Sequence, residues 1–209
     1  MFYIKLDRYH SQPAYEIVRT DLKIPLPCLR SLREWASCIQ MRKGILTEIF
    51  DFLKIVGKQM TARERVVVLG YNEMSVNGTV EYDKRNDEVI GPHKEFQVVV
   101  PRGLFSPWKQ AVYADFDCNM SKYILEDIIK RFHDINFTVV ANVHDCGGGN
   151  IKVWKEAEID YTVQKTAMKH PVTNRDVYFF PDAPHLLKLI RNWLLDHGFL
   201  YKGTFYTYR

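Results

Sequence analysis

The stretch VVVLGYNEMSV, residues 66–76, decides how the rest of the chain reads. Val66, Val67, Val68 and Leu69 form an unbroken aliphatic run, the pattern of a strand covered on both faces of a sheet. The run ends in polar residues, Asn72 and Glu73. A second run of this kind, FTVVANVHD at 137–145, ends in Asp145. Two such strands belong at the centre of a sheet, where their ends share a rim on which chemistry is usually done. Asn72 and Asp145 are therefore the candidate site pair. Neighbouring residues of a strand face opposite ways, so Glu73 is expected to point away from that rim.

Outward from this pair, GTVEYD (78–83), EFQVVVPRG (95–103) and QAVYADFD (110–117) read as further β-segments separated by polar or Gly/Pro-containing turns. SKYILEDIIKRFHDI (121–135) carries Ile124, Leu125, Ile128, Ile129 and Phe132 at helical spacing. After CGGGN (146–150), read as a flexible loop at the site's edge, come a short helix through Ile151 and Trp154 and the strand DVYFF (176–180). The helix APHLLKLIRNWLLDH (183–197) is expected to bury Leu186, Leu187, Ile190, Trp193 and Leu194 and to stop at Gly198. A meander of strands followed by alternating helices and strands gives an α/β fold, a mixed sheet flanked by helices in the order of the ribonuclease-H-like fold.

The first sixty residues read as helical. SQPAYEIVR (11–19) suits a helix, and Pro25 and Pro27 leave a short turn behind it. Leu29, Leu32, Ala36 and Ile39 then form an apolar stripe opposite Arg30 and Arg33. This is either a helix-turn-helix DNA reader using Arg30 and Arg33 or an ordinary helical hairpin. A third helix, within GILTEIFDFLKIVGKQM (44–60), precedes the polar linker QMTARER (59–65), which marks the expected domain boundary. The expected division is a helical region over 1–60, a sheet domain over 61–181 and a further segment over 182–209.

Composition narrows the class. Of 209 residues, 46% are hydrophobic and 26% charged, which excludes a disordered chain. No apolar run reaches the roughly 18 residues of a spanning helix, and MFYIKLDRYH lacks a signal-peptide core, so an intracellular protein without a membrane partner is expected. The formal charge of +4 suits an acidic partner only mildly. Cys28, Cys38, Cys118 and Cys146 lie far apart, with neither a zinc-knuckle spacing nor a disulfide framework.

Two-metal phosphoryl transfer needs carboxylates from neighbouring elements to hold ions roughly 3.5–4 Å apart. Asp145 meets that demand. Asn72, a neutral amide and a weaker ligand for Mg²⁺, does not.

The segments YNEMSV, YDKRNDEVIG, VVVPRGLFSPWKQAVYADF, NVHDCGGGN and FPDAPHLLKLIRN resemble, in order, those of the P-element transposase family, including its relatives that carry a THAP zinc finger. The resemblance runs over essentially the whole chain. It implies a helix-turn-helix followed by a ribonuclease-H-like DDE core, interrupted by a GTP-binding insertion that residues 182–209 would begin. It places the family's first aspartate at Asn72 and its second at Asp145, the expected metal ligand. The third carboxylate, a glutamate, is expected beyond this chain: residues 181–209 hold no glutamate, and their acids are Asp182, an expected N-cap, and Asp196. No ligand set for a THAP finger is present.

The implied protein is a nuclear transposase fragment, catalytically inactive, that binds transposon-end DNA or other transposase subunits and acts as a repressor. Mg²⁺ binding is expected to be weak or absent, and GTP is not expected to bind. The competing expectation is a residual metal-dependent nuclease or strand transferase in which Glu73, Asp145 and Asp182 or Asp196 rebuild the site.

Overall fold

The computed structural model describes residues 12–31, 34, 43–84, 86–145 and 147–207, with the side chains of 12–14 excepted. It divides into two compact units, Met1–Met41 and Arg42–Arg209. In the first, α1 (Gln12–Thr20) forms where expected, and the Tyr15 hydroxyl donates to the Pro27 carbonyl at 2.7 Å, tying the helix to the proline turn. Arg30 is exposed and pairs with Glu34 at 2.8 Å. Arg33, Leu32, Ala36, Ile39 and Cys38 lie outside the described residues, and with them most of the expected DNA reader.

The second unit is built on a seven-stranded mixed sheet. Its strands are β1 (Gly44–Ile45), β2 (Val66–Ser75), β5 (Glu95–Gly103), β6 (Tyr113–Phe116), β7 (Thr138–His144), β8 (Ala167–Lys169) and β9 (Asp176–Pro181), in the order β1-β6-β5-β2-β7-β9-β8. β2 runs antiparallel to β5 and parallel to β7, and β7 runs parallel to β9. The two apolar runs are therefore neighbours at the centre of the sheet. The helix α3 (Lys122–Asp134) makes the crossover from β6 to β7, with Ser121 as its N-cap. The helix α4 (Gly148–Glu156) follows β7.

GTVEYD does not join the sheet. β3 (Glu81–Asp83) pairs only with β4 (Glu88–Ile90), in a separate hairpin whose Val80, Tyr82 and Val89 are exposed. Its strands are too short to pair along β2, so residues 76–94 form an excursion and β2 closes directly on β5.

The third expected helix belongs with the sheet rather than with a helical region ending at residue 60. β1 pairs with β6, and α2 (Thr47–Gly57) sends Ile49, Phe50 and Leu53 into the core. Phe50 meets Phe132 of α3 edge-on at 5.1 Å between centroids. Along one face of the sheet Val67, Leu69 and Tyr71 of β2 join Val99, Val139 and Phe179 in that core, each side chain of this size contributing roughly 1.5–3 kcal/mol on burial.

The last helix, α5 (Ala183–His197), starts at Asp182, whose carboxylate accepts from the His185 N–H, and ends at Gly198 with φ of 70°. Its expected buried stripe is not buried. Leu187, Ile190 and Trp193 are 67, 61 and 65% exposed, and the following hairpin, β10 (Phe199–Tyr201) with β11 (Thr204–Tyr206), is exposed throughout. Leu186 and Leu194 are only half-buried: helical periodicity identifies an apolar stripe but not how much of it is covered.

Candidate functional site

The rim is set by the register of the two central strands. β2 and β7 begin level at Val66 and Thr138, shift by one residue at Val67/Val68, and end level at Tyr71 and His144. Without that shift Tyr71 would lie level with Val143. With it the register brings Asn72 next to Asp145, but only β7 ends there: β2 runs on through Asn72 to Ser75, past the polar residues expected to close it.

Their side chains do separate things. Asn72 is exposed, and its Oδ1 accepts from the next backbone N–H, that of Glu73, at 2.9 Å. Asp145 turns onto the start of α4: its Oδ1 accepts from the Gly147 N–H at 3.0 Å and from Asn150 Nδ2 at 2.6 Å. Within CGGGN, Gly148, Gly149 and Asn150 form the first turn of α4 rather than the expected loop, with Gly147 as N-cap, while Cys146 lies outside the described residues. Asp145 thus closes the turn that leads into α4, whose N-cap residue is Gly147.

Glu73 does not point away. It shares the face of Tyr71, and a Cβ added at Gly149 would meet Glu73 Oε1 at 2.7 Å. Two carboxylates therefore flank one helix N-terminus, and the glycine at 149 leaves room for the second. Burial, then Glu95, then Asp145 raise the Glu73 carboxyl above its ordinary value. On the neighbouring strand Gln97 lies directly opposite Glu73; it is buried and donates its Nε2 to the Asn72 carbonyl at 3.2 Å.

Beneath the carboxylates sits a buried histidine. His144 stacks on Tyr71 with centroids 4.6 Å apart, and its Nδ1 lies 2.7 Å from the Asp145 carbonyl. Its Nε2 accepts from the Trp154 indole N–H. An indole only donates and a carbonyl only accepts, so the ring is neutral with its proton on Nδ1. Burial holds its pKa below the ordinary 6.5 against the opposing pull of Asp145. Around this pair Tyr71 Oη, Glu73 Oε1, Gln97 Oε1, Asn150 Oδ1 and both polar atoms of Asn142 are buried without a partner among the described residues. Asp182 arrives at the same rim, its N–H donating to the His144 carbonyl at 2.8 Å, but its carboxylate is committed to capping α5.

Among the described residues no three of His, Cys, Asp and Glu come together as a metal-holding group. Asp145 has one oxygen already engaged twice, Asn72 is uncharged, and Glu73 is driven toward its protonated form. These residues do not fit a two-ion centre.

His144, Asn142, Asn150 and Trp154 escaped the sequence reading as site residues, and Glu73 entered it only in the competing expectation of a residual nuclease. The signal was there for two of them: Asn142 and His144 are polar residues two apart inside an apolar strand, the spacing of one face.

Comparison with known proteins agrees with this architecture. A family model described as TNP-like, RNase H N-terminal domain, matches residues 41–158. The chain is 35% identical over 180 residues to the transposable element P transposase of Drosophila melanogaster, a match covering 86% of this chain and 23% of that protein. It is 24% identical over 204 residues to the human DNA transposase THAP9, covering 87% of this chain and 22% of the relative. The chain thus spans under a quarter of the length of these relatives. A solved Drosophila P element transposase strand transfer complex superposes with a TM-score of 0.80 at 32% identity, over 99% of this chain and 46% of that one. The strand order, the shared fold and a match over more than half of its length all point one way: the chain belongs to the TNP-like RNase H N-terminal domain family and is a homologue of the P-element transposase.

Proposed function

We propose that this chain is part of a P-element-type DNA transposase whose ribonuclease-H-like core binds DNA without cutting it. The observation that carries this reading is Asn72, an uncharged amide level with Asp145 where two-ion chemistry needs an acid. With the charge missing there and Asp145 committed to α4, a Mg²⁺ ion is held weakly, and what remains is contact with DNA and with other transposase subunits in the nucleus. A chain that occupies DNA ends or mixed assemblies without reacting acts as a repressor. GTP has no part in the function of these residues.

The test is cleavage and strand transfer on a labelled transposon-end duplex in Mg²⁺ and in Mn²⁺, beside binding to the same duplex. Binding without cleavage is expected. Asn72→Asp should strengthen divalent-cation binding in calorimetry and still leave cleavage undetectable, because Glu73 is driven toward its protonated form and Asp182 is committed to capping α5, which leaves no third free carboxylate at the described rim. Cleavage by the parent chain that is lost in Glu73→Gln and in Asp145→Asn would replace this reading with that of a residual nuclease, the reading favoured by the position of Glu73 beside α4.

A further inference from the structure

A second polar feature lies at the opposite end of β7 from the carboxylates. Where α3 ends and β7 begins, a cavity of about 350 Å³ is lined by His133, Phe137, Thr138, His170, Thr173 and Arg175. That is within the roughly 300–1,000 Å³ of small-ligand sites. His133 is in the last turn of α3, and His170 and Arg175 bracket the turn between β8 and β9.

This cavity is built. His170 is only 5% exposed, and its Nδ1 accepts from the N–H groups of Val172 and Thr173 at 3.1 and 3.2 Å. The ring proton of the neutral form is thereby placed on Nε2, which bonds nothing among the described residues. The His133 ring meets it edge-on at 5.6 Å between centroids. Neither the His133 ring nor the Arg175 guanidinium has a hydrogen-bond or ion-pair partner among the described residues.

The lining contains no acid. Asp134 and Asp176 are sequence neighbours of two lining residues but do not line the cavity, and Asp176 is paired with Lys169 at 2.7 Å. Burial, then the charges of His133 and Arg175, depress the His170 pKa. Three cationic or protonatable donors and two hydroxyls with no counter-charge repel a metal ion and suit an oxyanion, which a guanidinium can grip with two parallel hydrogen bonds.

We infer that this cavity binds a phosphate group, carried either by a small phosphate ester or by a nucleic-acid backbone. His170, Arg175 and the two threonines donate to its oxygens, and the His133 ring stands beside them as a further donor.

The experiment titrates the 209-residue chain with inorganic phosphate while following the histidine ring signals by NMR. Saturable shifts of His133 and His170 are expected, with affinity falling about tenfold in Arg175→Ala, an exposed position whose loss leaves the fold intact. Lys169→Ala, just outside the cavity, should leave the affinity unchanged. No saturable shift up to tens of millimolar phosphate, or an equal loss in both variants, overturns the inference. A second arm separates the sources. If the phosphate belongs to a nucleic-acid backbone, Arg175→Ala also weakens duplex binding and phosphate competes with the duplex. If it belongs to a small ester, duplex affinity is unchanged and a nucleoside monophosphate moves the same two histidines. This inference stands apart from the proposed DNA binding, since the phosphate titration uses no DNA.

Discussion

Glu73 and His144 sit on one face of the central strands and carry opposite pH signatures. The Glu73 carboxyl is raised above its ordinary 4.5, chiefly by burial and then by Glu95 and Asp145. The native state therefore holds this proton more tightly than the unfolded chain does. Its contribution to stability is complete below pH 4.5 and is lost as the pH rises through the native value. Glu73→Gln fixes the uncharged form, so it should raise Tm at pH 7, and that gain should vanish near pH 4. A Tm that is unchanged or lower at pH 7 would mean that the carboxylate is stabilised by something other than its described surroundings. His144 runs the other way. Its pKa lies below 6.5, so the unfolded chain takes up a proton that the folded chain refuses, and stability falls as the pH drops through 6.5 and below. Trp154→Phe removes the N–H that fills Nε2 and leaves a buried acceptor bare, at a cost of about 1–3 kcal/mol. Urea unfolding should show that loss, and NMR titration of His144 should show its pKa moving.

At the scale of elements, α2 and the start of α4 illustrate two uses of glycine. Gly57 closes α2 against the ring of Phe137, and a Cβ there would lie 2.5 Å from the ring edge. Phe137 is 1% exposed and cannot swing away. Gly57→Ala should therefore destabilise the sheet unit by about 1–3 kcal/mol in chemical denaturation, the range of an overpacked core. A neutral result would show that α2 shifts freely on the sheet, as a helix outside the sheet's core would. At α4 the partner of Gly149 is the flexible end of Glu73, so the same kind of substitution displaces a carboxylate instead of straining a core.

For the whole molecule, the net charge of +4 is modest, and the described Arg30 already has Glu34 as a partner at 2.8 Å. DNA binding in the proposed reading rests on phosphate contacts, whose affinity falls steeply with salt and depends little on sequence. Fluorescence anisotropy on duplexes of matched length and different sequence should give similar affinities that decline together between low and physiological salt. Arg30→Ala combined with Arg33→Ala should remove most of that binding. If the double variant binds as the parent does, residues 12–41 are not the reader.

Much of the architecture was written locally. The aliphatic run at 66–69, the largely apolar run at 137–141, the helical spacing at 122–134 and the start and stop signals at Asp182 and Gly198 depend on side chains close in sequence, so they could be read from the chain. The same runs placed β2 and β7 side by side at the centre of the sheet, because continuously apolar strands belong there. Tertiary structure decided the rest. A one-residue register shift on β7 set which side chains share a level, and pairing with β6 drew β1 and α2 into the sheet's core. The start of α4, placed by packing and not by local pattern, engaged Asp145 through the Gly147 N–H and Asn150 and received Glu73 beside it. These outcomes depend on which distant backbone lies alongside, and that is fixed only when the two halves of the sheet meet.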